Sequence, residues 1–316
     1  MNKFVDAFIE SVNTRDCTRL PMADRYYATE NGIPAALLLM ETYRVIDQVT
    51  FAGTVAEDPV KKTVYTVLVA KEGSADVIMG VRMTGEEKIS ELEINIYRSR
   101  SDTGFWYAVQ DIEKLEPKWD YVVPEEKRAD RATLERFATA IYDNRIDGNE
   151  FPPAETCQLM EAGGLVMENV EYAKKLTPNP DALVVPEGQV RIPMGFGLGP
   201  IRPFGEDMRI VCIDEEKGLV VAVACMDGYV SPYIVSDETS SCFVPKPMIE
   251  MHRSTLTPEM FDGQSACREM YATAENTTVA KFYEGKIQYL TQNIKIRPYG
   301  CKASWRPDVF VTDREV

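Results

Sequence analysis

A gapless internal repeat constrains this chain more than any other feature. Lys88-Ile89-Ser90-Glu91-Leu92-Glu93-Ile94-Asn95-Ile96 reads K-I-x-x-L-x-x-N-I, and Lys286-Ile287-Gln288-Tyr289-Leu290-Thr291-Gln292-Asn293-Ile294 reads the same. Each copy follows a tight-turn signal, Thr84-Gly85-Glu86-Glu87 in the first and Glu284-Gly285 in the second. Each turn follows a β-prone run, 77–83 and 278–283, so each copy is read as the second strand of a hairpin. Two further echoes lie upstream. Phe4, Val5, Phe8, Ile9 and Val12 mark an amphipathic helix, and Leu134, Phe137, Ala138, Ile141 and Tyr142 mark another. After each helix comes a short segment ending in Glu and Gly, Glu30-Asn31-Gly32 and Glu161-Ala162-Gly163. Three echoes in one order predict two like units, each a helix followed by an antiparallel meander.

The break between them falls where Pro117, Pro124 and the charged run Glu125-Glu126-Lys127-Arg128 interrupt the pattern. The units are therefore placed at 1–118 and 131–316, with a linker at 119–130. Strands are expected at 44–56, 61–70, 76–84, 88–98 and 104–110, and again near 208–214, 218–226, 276–284 and 286–297. The second unit carries extra stretches rich in Pro, Gly and Ser at 176–205 and 229–265, of the length used for lids and binding loops. At 316 residues the chain has room for two domains.

Composition narrows the partners. Lys plus Arg number 35 against 50 Asp plus Glu, a formal net charge of −15, so a nucleic-acid surface would have to be built against the field of the whole molecule. No apolar run approaches the ~18 residues that span a bilayer. The opening MNKFVDAFIESVN carries charges through its apolar stripe, which predicts neither a signal-peptide core nor a membrane anchor. The seven cysteines are scattered, odd in number and without a C-x-x-C pair, as for free thiols in a reducing, cytoplasmic setting. A single histidine and no ligand cluster at finger-like spacing predict no metal site. Gly195-Phe196-Gly197-Leu198-Gly199-Pro200 has the glycines of a dinucleotide loop, but Pro200 and Pro203 deny it the helix that loop must open, so no cofactor is expected.

A helix feeding a curved antiparallel sheet, with the hairpin G-K-I-x-x-L, resembles the nuclear-transport-factor-2-like, or SnoaL-like, superfamily, and in particular tandem two-domain members from fungi and bacteria. The resemblance is carried by Tyr27-Ala28-Thr29-Glu30-Asn31-Gly32, by Cys157-Gln158-Leu159-Met160-Glu161-Ala162-Gly163-Gly164 and by Glu284-Gly285-Lys286-Ile287. It implies an α+β fold of two tandem cones, each with N-terminal helices packed on a curved antiparallel sheet and a pocket at the open end. It also implies sheet faces that commonly pair, hence a homodimer. The superfamily holds cofactor-independent lyases and isomerases as well as binding modules, so the residues must decide between them.

Several side chains fit proton-transfer chemistry. His252 is the one group whose unperturbed pKa lies near neutrality, a natural general acid/base; its competing role is a surface-loop histidine. Glu30 and Glu161 occupy equivalent positions, where a carboxylate among apolar neighbours can move a proton, or else bond to backbone amides at a turn. Tyr26 and Tyr27 are adjacent, so in an extended segment only one points inward; an inward Tyr27 can polarise a carbonyl or pack as core. Trp106 and Trp119 can line an aromatic pocket, and Arg253 and Arg268 can hold a developing oxyanion. Two functions follow. One is a cofactor-free lyase or isomerase that dehydrates, isomerises or cleaves a small hydroxylated aromatic or polyketide-like substrate. The other is a non-catalytic small-molecule-binding or dimerisation scaffold.

Overall fold

The computed structural model describes residues 2–98, 109–142, 150–161, 163–167, 207–235, 238–246, 249–250 and 270–304. Helix α1 (Lys3–Asn13) begins where the Asn2 side chain accepts the amide of Phe4 at 2.9 Å, and it buries Phe4, Val5, Phe8 and Val12 along one stripe. Helix α3 (Arg131–Tyr142) begins in the same way, with the Asp130 carboxylate accepting the amide of Thr133 at 2.8 Å; it buries Leu134, Phe137, Ala138 and Ile141. Both helices were legible from their periodicity.

Strands β1 (Met22–Glu30), β2 (Ile33–Pro34), β3 (Gln48–Asp58), β4 (Thr63–Glu72), β5 (Ala75–Thr84) and β6 (Ile89–Tyr97) form one sheet in the order β2-β1-β6-β5-β4-β3, with the single-turn helix α2 (Glu41–Arg44) between β2 and β3. The second sheet contains β7 (Pro153–Glu161), β8 (Gly164–Met167), β9 (Arg209–Asp214), β10 (Leu219–Val235), β11 (Glu238–Pro245), β12 (Met270–Tyr283) and β13 (Lys286–Pro298). Its order is β11-β10-β12-β13-β7-β8, with β9 also on β10.

The sheets are mixed, which corrects the expectation of purely antiparallel ones: β1 runs parallel to β6 and β7 parallel to β13. Neither β1 nor β7 is among the strands that the sequence predicts. The reason is visible in β1, where Asp24, Arg25 and Tyr26 are exposed: they fall in the irregularity between Met22 and Tyr27, and β2 pairs only with Thr29 and Glu30, so no apolar alternation is needed. The repeat is nevertheless kept residue by residue. Met22↔Ile89, Tyr27↔Glu91, Ala28↔Leu92, Thr29↔Glu93 and Glu30↔Ile94 recur as Pro153↔Ile287, Gln158↔Tyr289, Leu159↔Leu290, Met160↔Thr291 and Glu161↔Gln292, with the irregularity at the same place. That irregularity explains the I-x-x-L spacing. Opposite Lys281 and Phe282, β13 carries Gln288 as an extra residue, so Ile287 and Leu290, three apart, both reach the core beneath α3.

Other boundaries differ from expectation. The strand expected at 104–110 lies partly outside the described residues, and its end is a 3-10 helix over Val109–Lys114. The expected insertion from 229 is instead the continuation of β10 and its hairpin with β11, paired from Gly228↔Pro245 to Val235↔Glu238.

Alternation sorts the side chains into three layers. Val64, Leu68, Val77, Met79, Val81, Leu92 and Ile94 face α1. Val220, Ala222, Ala224, Ala280, Phe282 and Leu290 face α3, where Phe137, Phe151 and Phe282 pack with ring centroids 4.8–5.5 Å apart. The opposite faces meet each other: Tyr65, Val67, Val69, Ile78 and Tyr97 of the first sheet cluster with Val221, Val223, Cys225, Val279 and Tyr289 of the second. The molecule is therefore helix, sheet, sheet, helix, and the seam between the sheets is a core in its own right. Each sheet thus has its second face covered by the other sheet.

Candidate functional site

The seam ends in a cleft of about 730 Å³. Gly53, Val55 and Glu57 of β3 form one wall, and the consecutive residues Lys118, Trp119 and Asp120 form another. Asn2, Ile112, Glu113 and Lys217 complete it. Residues 119–123 are held against the second sheet by packing and by hydrogen bonds. Trp119 is 7% exposed and stands edge-on to Tyr289, centroids 4.8 Å apart at 75°. The amide of Val123 donates to the carbonyl of Glu216 at 2.9 Å, and the ammonium of Lys281 donates to the carbonyl of Tyr121 at 2.9 Å.

The β3 wall is fixed to the second half by a polar lattice. Asp58, its side chain fully buried, receives both terminal nitrogens of Arg131 at 3.0 and 2.9 Å and the amides of Val60, Lys61 and Ile213 at 3.0–3.1 Å. Burial pushes its carboxyl up, but the hydrogen bonds from Arg131 and from the amides of Lys61 and Ile213, with the Arg131 charge, outweigh it and hold the pKa below the usual carboxylate value. Asp214 accepts the amide of Glu57 at 2.9 Å and the ammonium of Lys217 at 3.0 Å, while Lys217 also donates to the carbonyl of Val55 at 2.9 Å.

Two groups behind these walls titrate unusually. Lys281 is fully buried, and desolvation, opposed by Asp214 and Asp120, brings its amine down to about 8. Farther along the seam Glu275, also fully buried, is bound by Lys295 at 3.2 Å, by Arg297 at 2.6 Å and by the amide and hydroxyl of Ser304 at 2.8–3.0 Å. Burial raises the Glu275 carboxyl, yet the two cations outweigh it, so it stays ionised with a lowered pKa. Lys295 also donates to Asn95, so the asparagine of the repeat joins the two halves. Tyr97 does the same, its hydroxyl donating to Thr277 at 2.9 Å.

The residues singled out from sequence fall in different places. Trp119 lines the cleft. Glu30 is 8% exposed, and its carboxylate accepts the amides of Glu41 and Thr42 at 2.7 and 2.9 Å and the Thr42 hydroxyl at 2.6 Å. It thus satisfies the open amides at the start of α2, the bonding to backbone amides weighed against a proton-transfer role. Glu161 ends β7 opposite Gly164, at the backbone position that Glu30 holds in β1. Tyr26 is 45% exposed; Tyr27 is half-buried, its phenol raised by burial and by Glu93. Trp106, His252, Arg253 and Arg268 lie outside the described residues. The described candidates do not converge: Trp119 is at the seam, while Glu30 supports α2.

Sequence reasoning missed Asp58, Arg131, Glu275, Lys281, Lys295 and Arg297. A signal existed for Glu275 and Lys281, which share the parity of Thr277 and Val279 and so break an otherwise buried face with charge. Among the described residues no group of three or more His, Cys, Asp or Glu could hold a metal ion, and no helix is long and apolar enough to cross a membrane. Compared with protein-family models and with curated proteins, the chain matches none.

Proposed function

We propose that this chain is a tandem nuclear-transport-factor-2-like protein in which two cones pair back to back within one polypeptide, and that the cleft at their seam binds a small molecule with an apolar, ring-bearing body. The family reading is supported by the identical β1–β6 and β7–β13 registers and by a helix covering the same face of each sheet. The observation that carries the binding role is the cleft beside Trp119, of the volume that small-molecule sites occupy and with an aromatic wall. Intramolecular pairing of the sheets takes the place of a homodimer, so the protein should run as a monomer in light scattering. The direct test is saturation-transfer NMR with ring-bearing small molecules. Binding by the wild type, lost when Val55→Trp fills the cleft, supports the reading; undiminished binding by the filled variant sinks it.

A second reading is the cofactor-free lyase or isomerase, in which a base removes a proton beside a carbonyl or hydroxyl and a Tyr or Arg holds the oxyanion. It is favoured by Lys281, an amine titrating at about 8 whose electrostatic neighbours Asp120 and Lys217 line the cleft. It predicts solvent-deuterium exchange into hydroxylated aromatic ketones, abolished in one of Lys281→Met, His252→Ala or Glu161→Gln. Exchange at the buffer rate with wild-type protein would remove it.

A further inference from the structure

We infer that the ligand of the seam cleft is an organic cation, an amine or quaternary ammonium on an apolar body, an assignment that rests on the cleft being a binding site. Charge and aromatic surface carry the argument. The two cations that line the cleft are already matched by acids outside it. Lys217 is held by Asp214 at 3.0 Å and by the Val55 carbonyl at 2.9 Å; Lys118 is held by Glu116 at 2.9 Å and by the Glu113 carbonyl at 2.6 Å. The three lining acids have no such match. Glu57 accepts only the neutral amide of Asn2, at 2.8 Å, and neither Glu113 nor Asp120 forms an ion pair with another described residue.

A ligand entering the cleft therefore meets three carboxylates without an ion-pair partner among the described residues, of which Asp120 lies in the field of the buried Lys281, on a molecule whose net charge of −15 adds to theirs. Trp119 supplies the second component. It lines the cleft at 7% exposure, and indole is the aromatic surface that attracts a cation most strongly, including ammonium groups too substituted to donate hydrogen bonds. Val55 and Ile112 offer apolar contact for the rest of the ligand. An anion of the same shape gains the apolar contact but is repelled by the acids, and a neutral isostere gains neither charge interaction.

The experiment is titration calorimetry on the full chain with three probes of one shape: benzyltrimethylammonium, benzyl alcohol and benzenesulfonate. The expected result is that benzyltrimethylammonium binds at least ten-fold tighter than the other two at low salt. The double substitution Glu113→Gln, Asp120→Asn, on exposed side chains whose loss does not threaten folding, should weaken it by about five- to twenty-fold while leaving benzyl alcohol unchanged. Equal or tighter binding of benzyl alcohol or benzenesulfonate overturns the cation assignment and leaves the binding site standing. Cation binding that is unaffected by the double substitution places the cation elsewhere and also overturns the assignment. Failure of all three probes removes the binding reading itself, and this inference with it.

Discussion

Removal of the Asp58 carboxylate is the sharpest test of how the halves are joined. Asp58→Ala leaves the Arg131 guanidinium without its bidentate partner and strands the amides of Val60, Lys61 and Ile213. Breaking a buried pair from one side costs about 3–5 kcal/mol, because the remaining charge stays desolvated. Arg131 is 21% exposed, so water recovers part of that, and Val60 at 66% exposure can hydrate its own amide. The Ile213 amide is buried and has no such recourse. The expected loss is about 3 kcal/mol, read as a lowered urea midpoint at unchanged slope. Arg131→Met should cost less, about 2 kcal/mol, since Asp58 keeps its three amides. The double variant should cost less than the sum, with a coupling of at least ~1 kcal/mol. The pH dependence follows from the lowered Asp58 pKa: its stabilisation is full above the unfolded value near 3.9 and disappears as pH falls through the lower folded value. A loss below ~1 kcal/mol for Asp58→Ala, or additive single substitutions, would refute the claim that this contact ties β3 to the second half.

Three other outcomes are expected. Glu30→Ala should destabilise the protein by about 1–3 kcal/mol, through the freed amides of Glu41 and Thr42, without changing probe binding at the seam; a binding change without destabilisation would contradict its supporting role. Gly32→Ala should cost about 1–2 kcal/mol in the same denaturation assay, because Gly32 sits at φ +75° and a Cβ there would lie 2.6 Å from the Arg297 guanidinium that binds Glu275; a neutral result would contradict the close packing of that turn. Lys281→Met isolates a buried amine. Its folded pKa of about 8 lies below the unfolded value near 10.4, so its ammonium is penalised below pH 8 and the penalty lifts as pH rises towards 10.4. The stability of wild type relative to Lys281→Met should therefore rise by up to about 3 kcal/mol between pH 7 and 10.4, and a constant difference would show that the amine is not desolvated.

Two readings of the sequence have a counterpart in the structure, one at the cleft and one away from it. Trp119 reads from sequence as an aromatic that can line a pocket or pack, and in the structure it is nearly buried at the edge of the cleft. Glu30 and Glu161 were paired through the repeat, and the backbone register places them at equivalent points. The pairing could not say what Glu30 bonds to. Its donors come from α2, a four-residue helix too short to announce itself by periodicity. Asp58 was equally silent: before Pro59 it reads as an ordinary turn residue, whereas three of its five hydrogen bonds come from Arg131 and Ile213 in the other half.

The internal repeat, the two amphipathic helices and most of the antiparallel strands can be read residue by residue, because side-chain periodicity and turn residues are local records of which face is buried. Tertiary structure decided the rest. It set β1 and β7 parallel beside the repeat strands, laid the two sheets against each other, and placed Asp58 on Arg131 and Glu275 between Lys295 and Arg297. Alternation states that both faces of a strand are covered, but not by what. The identity of the covering surface is a property of residues far apart in the chain, and the cleft exists only where those surfaces part.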